Sequence, residues 1–458
     1  MIDNEQDYPM RIGTVVALVV IIGAGIYFWT DTESELAPSP PPLTGNPYQD
    51  DLRHLTWLLS NNWSWLEMRQ EQGLDLETLE EECMQIVDAD PTDRGFSLAL
   101  RRYVAGIHDG HGSSRLKDLD RELSKRWPFS LVEAKEGLMV DGIDPATFSA
   151  RTLRPGDLVL MIDGQSVEDV IAEQEKFEFA STKGARRRRA IEQLTKWTDK
   201  ESFELKVHRV GRPEPESIRV MSAPKSAPVP HRSWRHLPKT FRIVDENTAY
   251  FCPGNFSPLG KGFKAATADE REAMLQAQYQ EYRDTMRQLV RKRNLILDLR
   301  ANPGGTDLLG QALALHLLEP GFRYYRLTSK WRSKWRTVSW TTIDDVGFGT
   351  PKFGGKVICL IDEKTFSVSD NLACCLRDCH PDIVFVGQPT GGGSGAPRKF
   401  ILPSTGAEVR FCTMQVKAPN GEFVEGNGVH PDLTIRPSVH ELLAHSDVVL
   451  EAAMKLLD

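Results

Sequence analysis

The segment Leu295–Gly305 reads LILDLRANPGG and decides the fold of the chain. Its first residues form a nearly continuous apolar run, which is typical of a strand buried on both faces of a sheet. The Pro-Gly-Gly turn that follows lets backbone N–H groups point into a cleft, as an oxyanion hole requires. The segment therefore predicts a buried strand that ends at a reaction site, with the N–H groups of Gly304 and Gly305 as candidate oxyanion donors.

Strand-like and helix-like patterns alternate on both sides of this segment. Strands are predicted at 248–251, 295–299, 356–361 and 383–386, and helices at 269–292, 308–318 and 369–377. Such alternation indicates an α/β core built from β-α units. We expect this core to occupy residues 226–458.

A second segment, KTFSVSDNLACCLRD at 364–378, follows another predicted buried strand. It places Ser367 at the start of a helix, where a hydroxyl is exposed and the N–H of Val368 becomes a second candidate oxyanion donor. Taken alone, Ser367 is equally well explained as an N-cap residue. Combined with the glycine turn, it indicates a nucleophilic serine.

Four strings together resemble the C-terminal-processing, or tail-specific, serine protease family. They are DLRANPGG, TFSVSD, VGQPTGGG at 386–393 and EGNGVHPDLTI at 425–435. The resemblance extends over nearly the whole chain after residue 47 and implies a ClpP/crotonase-like catalytic core. In this family the serine precedes an acidic residue by three positions, which selects Ser367 with Asp370 over Ser369. The aspartate departs mildly from the more usual glutamate.

The family has a Ser-Lys branch and a Ser-His-Glu branch. In the first branch the glycine-rich string carries a lysine that serves as general base, but Gly393 occupies that place here. Lys399 comes six residues later in a predicted strand and is a weak candidate for the base. The chain is therefore closer to the second branch, which the tricorn core and the retinoid-binding-protein-like proteases represent.

That branch takes its histidine from the cap region and its glutamate from near the C-terminal end. The string Asp109-Gly110-His111 makes His111 the match, ahead of His108, and Glu425 stands just before the GV-PD string. The resemblance implies that Ser367 is the nucleophile, that His111 accepts its proton, and that Glu425 polarises His111 directly or through water. No metal or organic cofactor is expected.

One part of that arrangement is missing from the sequence. In the branch, a second serine directly before the histidine links it to the glutamate, and Gly110 holds that position here. Ser113 or a water molecule is the candidate substitute. An alternative interpretation of residues 108–111 as metal ligands finds no cysteine or second histidine group of matching spacing to support it. His430 is expected to be structural.

The segment LRPGDLVLMIDGQSVEDV at 153–170 contains two tight-turn signals around an apolar strand. It resembles a PDZ domain of the kind found in processing proteases, which binds an extended peptide at a sheet edge. We expect this domain over residues 128–225, with Gly137 and Leu138 in its peptide-carboxylate-binding loop. A charged helical insertion contains Arg186–Arg189. These arginines could form a patch that binds anions or nucleic acid, but a solvated helix face agrees better with the acidic chain.

The N-terminal residues predict a membrane anchor. Residues 12–29 form an uncharged apolar run of 18 residues, long enough to span a bilayer as a helix. It ends in Tyr27, Phe28 and Trp29, which favours an uncleaved anchor over the alternative of a cleavable signal peptide. Arg11 before the run favours a C-terminal body outside the cytoplasm. The expected organisation is completed by a tail at 1–11, a proline-rich linker at 30–47 and a helical cap domain at 48–127.

The overall composition is that of an ordinary globular protein. Among 458 residues, 56 Lys and Arg stand against 64 Asp and Glu, and the net charge of −8 disfavours sequence-independent nucleic-acid binding. The first functional hypothesis is a membrane-anchored, extracytoplasmic (periplasmic or cell-surface) serine endopeptidase that acts on polypeptides. The second is a catalytically inactive peptide-binding scaffold that retains the fold. An esterase is a weaker third hypothesis, because the serine segment lacks a G-x-S-x-G motif.

Overall fold

The computed structural model describes residues 39–116, 125–147, 152–196, 198–224, 239–257, 266–344 and 350–457. The predicted anchor at 12–29 and the first part of the linker lie outside these ranges. Within the described ranges, no helix combines the length and the apolar character needed to cross a membrane.

The first domain is a group of helices followed by one short strand. Its elements are α1 (Pro47–Asn62), α2 (Leu66–Glu71), α3 (Leu76–Ala89), α4 (Asp93–Gly106) and β1 (Ser113–Arg115). The side chains of Asn46, Asp75 and Thr92 accept backbone N–H bonds at the starts of α1, α3 and α4, which explains where these helices begin. Leu52 and Leu55 lie on the apolar face of α1 and are fully buried.

The second domain is an antiparallel sheet with two helices. Its elements are β2 (Lys125–Arg126), β3 (Phe129–Ala134), β4 (Gly137–Ile143), β5 (Leu158–Ile162), β6 (Gln165–Ser166), α5 (Val167–Glu175), α6 (Lys183–Leu194), β7 (Ser202–His208), β8 (Glu216–Met221) and β9 (Ala223–Pro224). The strand order is β3-β4-β5-β7-β8, with β6 paired to β5, so β3 and β8 are the outer strands.

The arginine-rich helix α6 contacts the third domain. Arg187 forms ion pairs with Glu133 and Glu168, and the guanidinium of Arg189 lies 5.9 Å from the centroid of the Phe366 ring. All four arginines of this helix are partly buried. The expectation of a solvated helix face is therefore wrong, because carboxylates and an aromatic ring already surround these side chains.

The third domain contains the remaining elements. They are β10 (Thr240–Ile243), β11 (Thr248–Cys252), α7 (Ala268–Leu289), β12 (Asn294–Asp298), α8 (Asp307–Leu315), β13 (Phe322–Trp331), β14 (Lys334–Ile343), β15 (Lys356–Ile361), α9 (Val368–Cys379), β16 (Val384–Gly387), β17 (Pro397–Ile401), β18 (Glu408–Cys412), β19 (Met414–Lys417), β20 (Leu433–Thr434), α10 (Val439–Leu443) and α11 (Val448–Lys455). The main sheet has the order β10-β11-β12-β15-β16-β20 and is parallel except for β10. A smaller antiparallel sheet has the order β14-β13-β19.

Strand β12 lies in the middle of the main sheet and is covered on both faces. Leu295 and Leu297 belong to an apolar cluster with side chains of α7, α8 and α9, whereas Ile296 belongs to a second cluster with side chains of α11. Because alternate residues enter two different cores, the strand is apolar throughout. The parallel strands β12 and β15 end at the same edge of the sheet, and the loops that follow them carry the glycine turn and Ser367.

The cap is joined to the third domain by a sheet with the order β1-β18-β17. Strand β1 runs antiparallel to β18, with Ser113 opposite Arg410. Trp63 of the cap and Phe411 of β18 share one apolar cluster. This sheet fixes the position of the turn at 107–112, which directly precedes β1.

Candidate active site

Ser367 occupies a strained backbone position between β15 and α9. Its φ of 61° and ψ of −120° lie outside the regions that non-glycine residues usually adopt. Its N–H donates to the carbonyl oxygen of Gly393 over 2.9 Å, and its side chain makes no capping hydrogen bond to α9. Ser367 thus stands at the N-cap position of α9 without capping the helix through its side chain, and its hydroxyl remains available to another partner.

That partner is His111, which lies in the turn between α4 and β1. Its Nε2 is 3.2 Å from the Oγ of Ser367, close enough for proton transfer. The imidazole ring packs against Phe366 with 4.7 Å between the ring centroids. The pairing of β1 with β18 and the contact with Phe366 together hold the imidazole against the serine.

Burial determines the charge of His111. The loss of hydration is the largest influence and lowers the pKa of His111 to about 4, while the negative charge of Asp109 opposes that shift. The positive charges of Arg410 and Arg189 lower this pKa further. The imidazole is therefore neutral at neutral pH, which is the form that can accept a proton from a serine.

The other ring nitrogen of His111, Nδ1, is buried and has no hydrogen-bond partner in the described part of the chain. The carboxylate beside it is that of Asp109, one of whose oxygens lies within 4.8 Å of a ring nitrogen of His111. Asp109 accepts from the backbone N–H groups of His111 (2.9 Å) and Cys412 (2.7 Å) and from the indole N–H of Trp63 (3.0 Å). The sequence pointed to Asp109 only as part of the alternative metal-ligand string at 108–111, because its partners Trp63 and Cys412 are distant along the chain.

Glu425 is buried between the cap and the third domain. Its carboxylate accepts from the backbone N–H of Gly110 over 2.8 Å and from that of Ser394 over 2.9 Å. Burial raises the pKa of Glu425 well above its usual value, and the charge of Asp109 adds to the shift. Of the two predicted routes to His111, the direct one is not formed, because the described residues show no hydrogen bond between Glu425 and the imidazole. The route through water stays a prediction, and Glu425 reaches the histidine through the backbone of Gly110.

Arg69 of α2 supplies the positive charge nearest to Glu425, with 3.9 Å between Nη2 and Oε1. The same Nη2 donates to the carbonyl oxygens of His108 over 2.8 Å and Ser181 over 3.4 Å. Arg69 is itself buried, so it joins all three domains beside the site. This role could not be predicted from the sequence, because Arg69 lies in a short helix far from any motif.

Gly110 stands where the related branch has its bridging serine. A Cβ atom built on Gly110 would lie 3.0 Å from the Oγ of Ser181, 3.1 Å from the ring of Phe366 and 3.2 Å from the Cα of Gly393. The Ser181 hydroxyl donates over 2.6 Å to the carbonyl oxygen of Gly392. The space for a side chain at position 110 is therefore filled by neighbours. The candidate substitute Ser113 lies in β1, opposite Arg410.

The glycine turn after β12 lies directly against the serine. A Cβ atom on Gly304 would be 2.8 Å from the backbone nitrogen of Val368. The N–H of Gly304 already donates to the side chain of Asn302 over 3.0 Å. The N–H groups of Gly305 and Val368 have no acceptor among the described residues, which makes these two the better candidates for oxyanion donors.

Asp370, three residues after the serine, is buried in the first turn of α9. Its carboxylate accepts from the N–H of Gly393 over 3.0 Å. Burial raises the pKa of Asp370 to about 7, while backbone N–H groups of the glycine-rich loop oppose the shift. Asp370 and the N–H of Ser367 both bind Gly393, so this glycine is held on both sides of its peptide unit.

Neither a lysine at position 393 nor the one lysine candidate of the sequence, Lys399, fits the role of general base. A Cβ atom on Gly393 would lie 1.9 Å from the Phe366 ring, so a lysine there cannot coexist with that ring. Lys399 lies in β17 and pairs instead with Glu408 over 3.3 Å on the exposed side of the strand.

The remaining predicted residues lie elsewhere. The backbone carbonyl of His108 accepts from Arg69, and that of His430 accepts from Arg377. Gly137 and Leu138 begin β4, where Leu138 is buried in the core of the second domain. The turn before Gly137 contacts the segment that follows β20: the N–H of Lys135 donates to the carbonyl of Pro437 over 2.9 Å.

Comparison with known proteins finds a peptidase family that matches the part of the chain containing Ser367 and Glu425. Residues 268–435 match the model of peptidase family S41. These residues belong to the third domain and resemble an S41 peptidase domain. The resemblance expected from the sequence is thereby confirmed. The matched segment contains Ser367, Glu425 and the glycine turn, whereas His111 lies outside it, in the cap.

One relative of the S41 core is a probable CtpA-like serine protease of Staphylococcus epidermidis. It is 27% identical over 157 residues, which are 33% of this chain and 29% of that protein. The chain therefore matches less than a third of the length of this relative.

Two solved structures resemble the chain over most of its length. The structure of mature CPAF complexed with lactacystin has a TM-score of 0.70 at 15% identity and covers 90% of this chain and 98% of that one. The crystal structure of mature CPAF has a TM-score of 0.67 at 16% identity and covers 86% and 94%. At such identities the similarity concerns the fold, and it extends well beyond the S41 core.

We expect Gly393→Ala to damage the site through Phe366. The added methyl would overlap the ring, so either the ring or the loop must shift, at a cost of roughly 1–3 kcal/mol of stability. The matched control is Gly354→Ala, since nothing lies within 4 Å of a Cβ at that position. Thermal unfolding would measure both variants. Equal melting temperatures for the two would contradict the packing argument.

Proposed function

We propose that this chain is a serine endopeptidase that cleaves polypeptides through an acyl-enzyme intermediate. The observation that carries the proposal is the 3.2 Å separation between the Oγ of Ser367 and the Nε2 of His111. The S41 match over residues 268–435 supports a peptidase of this class. The same separation speaks against the inactive-scaffold hypothesis, because a scaffold has no need to hold a neutral imidazole against a strained serine.

The proposed reaction begins with attack of the Ser367 hydroxyl oxygen on the scissile carbonyl carbon. His111 accepts the hydroxyl proton at Nε2, and the carbonyl oxygen becomes an oxyanion. The N–H groups of Gly305 and Val368 donate to that oxyanion. His111 then gives the proton to the leaving amine, and water, deprotonated by the same nitrogen, releases the acyl group from Ser367.

Two carboxyl groups assist His111 in different ways under this proposal. Asp109 lies beside the imidazole and its negative charge stabilises the protonated ring, as its opposing effect on the His111 pKa indicates. Glu425 holds the N–H of Gly110 and so fixes the backbone directly before His111. Glu425 is thus a positioning residue.

Ser367→Ala tests the nucleophile. We expect the variant to lose labelling by a fluorophosphonate probe and to cleave an unstructured protein substrate at least about 10³-fold more slowly, because no other hydroxyl replaces the nucleophile. Ser369→Ala is the matched control, since Ser369 lies two residues further along, inside α9. Cleavage by Ser367→Ala at the parent rate would overturn the proposal.

The pH dependence of cleavage tests the base. Neutral His111 is the active form, and its lowered pKa of about 4 keeps it neutral well below the usual histidine value of about 6.5. We therefore expect kcat/KM to stay constant as the pH falls from about 7 to about 5 and then to decrease through about pH 4. The measurement is kcat/KM against pH, with circular dichroism at each pH as the control for folding. A half-loss near pH 6.5 would exclude a buried, neutral His111 as the base.

The proposal includes a location outside the cytoplasm, with the body tethered by residues 12–29. The support is the uncharged apolar run and the proline-rich segment that separates it from α1. We expect the full chain to stay with the membrane fraction through carbonate extraction, and a chain lacking residues 1–29 to be released. Release of the full chain by carbonate would contradict the anchor.

The proposal also gives the second domain the peptide-binding role of a PDZ-like domain. An antiparallel sheet with outer strands β3 and β8 offers edges to which an extended peptide can add. The turn that precedes Gly137 is engaged by residues 437–439. Peptide capture at Gly137 and Leu138 therefore requires that contact to open.

A further inference from the structure

A group of three side chains beside the serine has the composition of a metal site. Potential ligand atoms of Asp109, His111 and Cys412 all lie within 4.8 Å of one another. The residues come from the turn after α4 and from the end of β18, which the β1–β18 pairing brings together. Their sequence separation explains why no ligand spacing is visible in the chain.

The histidine nitrogen available to this group is Nδ1. Nε2 faces Ser367, whereas Nδ1 is buried and has no hydrogen-bond partner in the described ranges. A buried imidazole nitrogen without a partner is uncommon, because such groups normally find a donor or an acceptor. Its neighbours Asp109 and Cys412 are fully buried as well, and a ring nitrogen of His111 lies within 4.8 Å of a ligand atom of each of them.

The hydrogen bonds that hold Asp109 resemble those that surround the ligands of a metal site. Asp109 is held by the indole N–H of Trp63 and by the backbone N–H groups of His111 and Cys412. Hydrogen bonds of this kind orient ligating carboxylates. The thiol of Cys412 lies 3.9 Å from the carbonyl oxygen of Ser394 and interacts with the carboxylate of Asp109, so the thiol and the carboxylate already face one another.

We propose that Asp109, His111 Nδ1 and Cys412 form an inhibitory site for a thiophilic divalent cation of the Zn²⁺ type. One thiolate, one imidazole and one carboxylate are ligands that zinc prefers, and a solvent molecule would complete a tetrahedron. Zinc–ligand bonds of about 2.0–2.3 Å place the ligand atoms of a tetrahedral site roughly 3.3–3.8 Å apart. The ligand atoms here lie within 4.8 Å of one another, so they must approach one another by about 1 Å to bind the ion. Hard cations such as Mg²⁺ favour oxygen ligands and should not bind.

Inhibition follows from the protonation of the imidazole, and this step rests on the proposed function. A neutral imidazole carries one proton and one lone pair. With the metal on Nδ1, the proton resides on Nε2, which then has no lone pair to accept the Ser367 proton. Binding releases one proton to solvent, from the Cys412 thiol, and the resulting thiolate and the Asp109 carboxylate balance the charge of the cation.

Positive charges near the site work against binding. Arg410 and Arg189 are close enough to His111 to lower its affinity for a proton, and they oppose a metal cation in the same way. Glu425 contributes a buried carboxyl near Asp109 and Cys412. We therefore expect reversible binding that a chelator removes.

Cobalt is the probe, because a thiolate bound to Co²⁺ gives a charge-transfer absorption band in the near ultraviolet. The parent protein for this measurement is Ser367→Ala, which cannot digest itself and keeps all three ligands. We expect the band to appear with Ser367→Ala and to be absent when Cys412→Ala is added. Cys83→Ala is the matched control, since Cys83 is equally buried but lies in the cap away from the site, and it should retain the band.

A second variant guards against loss of folding in Cys412→Ala. Asp109→Asn keeps the shape of the side chain, and we expect it to weaken Co²⁺ binding at least about tenfold while the thermal transition persists. Absence of the band in the Ser367→Ala parent, or its persistence without Cys412, would overturn the site. These outcomes do not depend on catalysis and so remain decisive if the proposed function fails.

Activity provides the last measurement. We expect Zn²⁺ to inhibit the unmodified chain reversibly, Mg²⁺ to have no effect, and Cys412→Ala to need at least about tenfold more Zn²⁺ for half-inhibition relative to its own activity without metal. A cobalt band in an active protein that Zn²⁺ does not inhibit would overturn the inhibitory role.

Discussion

The burial of Glu425 is the constraint on which the site depends. A carboxyl group with almost no exposure is tolerated only when its oxygens are hydrogen-bonded and its charge is compensated. The partners come from separate parts of the chain: the N–H of Gly110 and the guanidinium of Arg69 from the cap, and the N–H of Ser394 from the third domain. Removing Arg69 would take away the cation that lies nearest to this carboxyl group, 3.9 Å from Oε1. The cap can therefore dock in one orientation only.

That orientation is what brings the proposed nucleophile and base together. Gly110, bound by one oxygen of Glu425, directly precedes His111, and Ser394, bound by the other, directly follows Gly393. The carbonyl of Gly393 in turn accepts the N–H of Ser367. Through Gly110, the Glu425 side chain fixes the backbone directly before His111. Through Ser394 it fixes the backbone next to Gly393, whose carbonyl oxygen binds the N–H of Ser367. The 3.2 Å separation of the pair follows from main-chain contacts and needs no bond between Glu425 and the imidazole.

The sequence predicts those features that depend on local pattern or on a family motif. The α/β core, the strand at Leu295–Asp298 and the helix after Ser367 follow from periodicity and turn chemistry. His111 and Glu425 could be singled out only through the resemblance, because nothing local distinguishes them from other histidines and glutamates. Arg69, Asp109 and Cys412 escaped prediction because their roles arise from contacts between residues more than 30 positions apart. Arg187 of α6 was misjudged for a similar reason, since its carboxylate partners Glu133 and Glu168 lie in other elements.

The ring of Phe366 lies beside both glycines that replace family residues, Gly110 and Gly393, and this bears on whether the chain is an enzyme. A Cβ on Gly393 would lie 1.9 Å from the Phe366 ring, which leaves no room for the lysine of the other branch. A Cβ on Gly110 would be crowded by the same ring at 3.1 Å and by the Oγ of Ser181 at 3.0 Å. That ring also packs on His111 and lies beneath Arg189. A decayed site would leave gaps where side chains were lost, because voids in a packed interior are costly. Here Phe366 fills the space and packs against the imidazole of His111. This supports a working Ser367–His111 pair that is held in place by packing different from that of the related proteases.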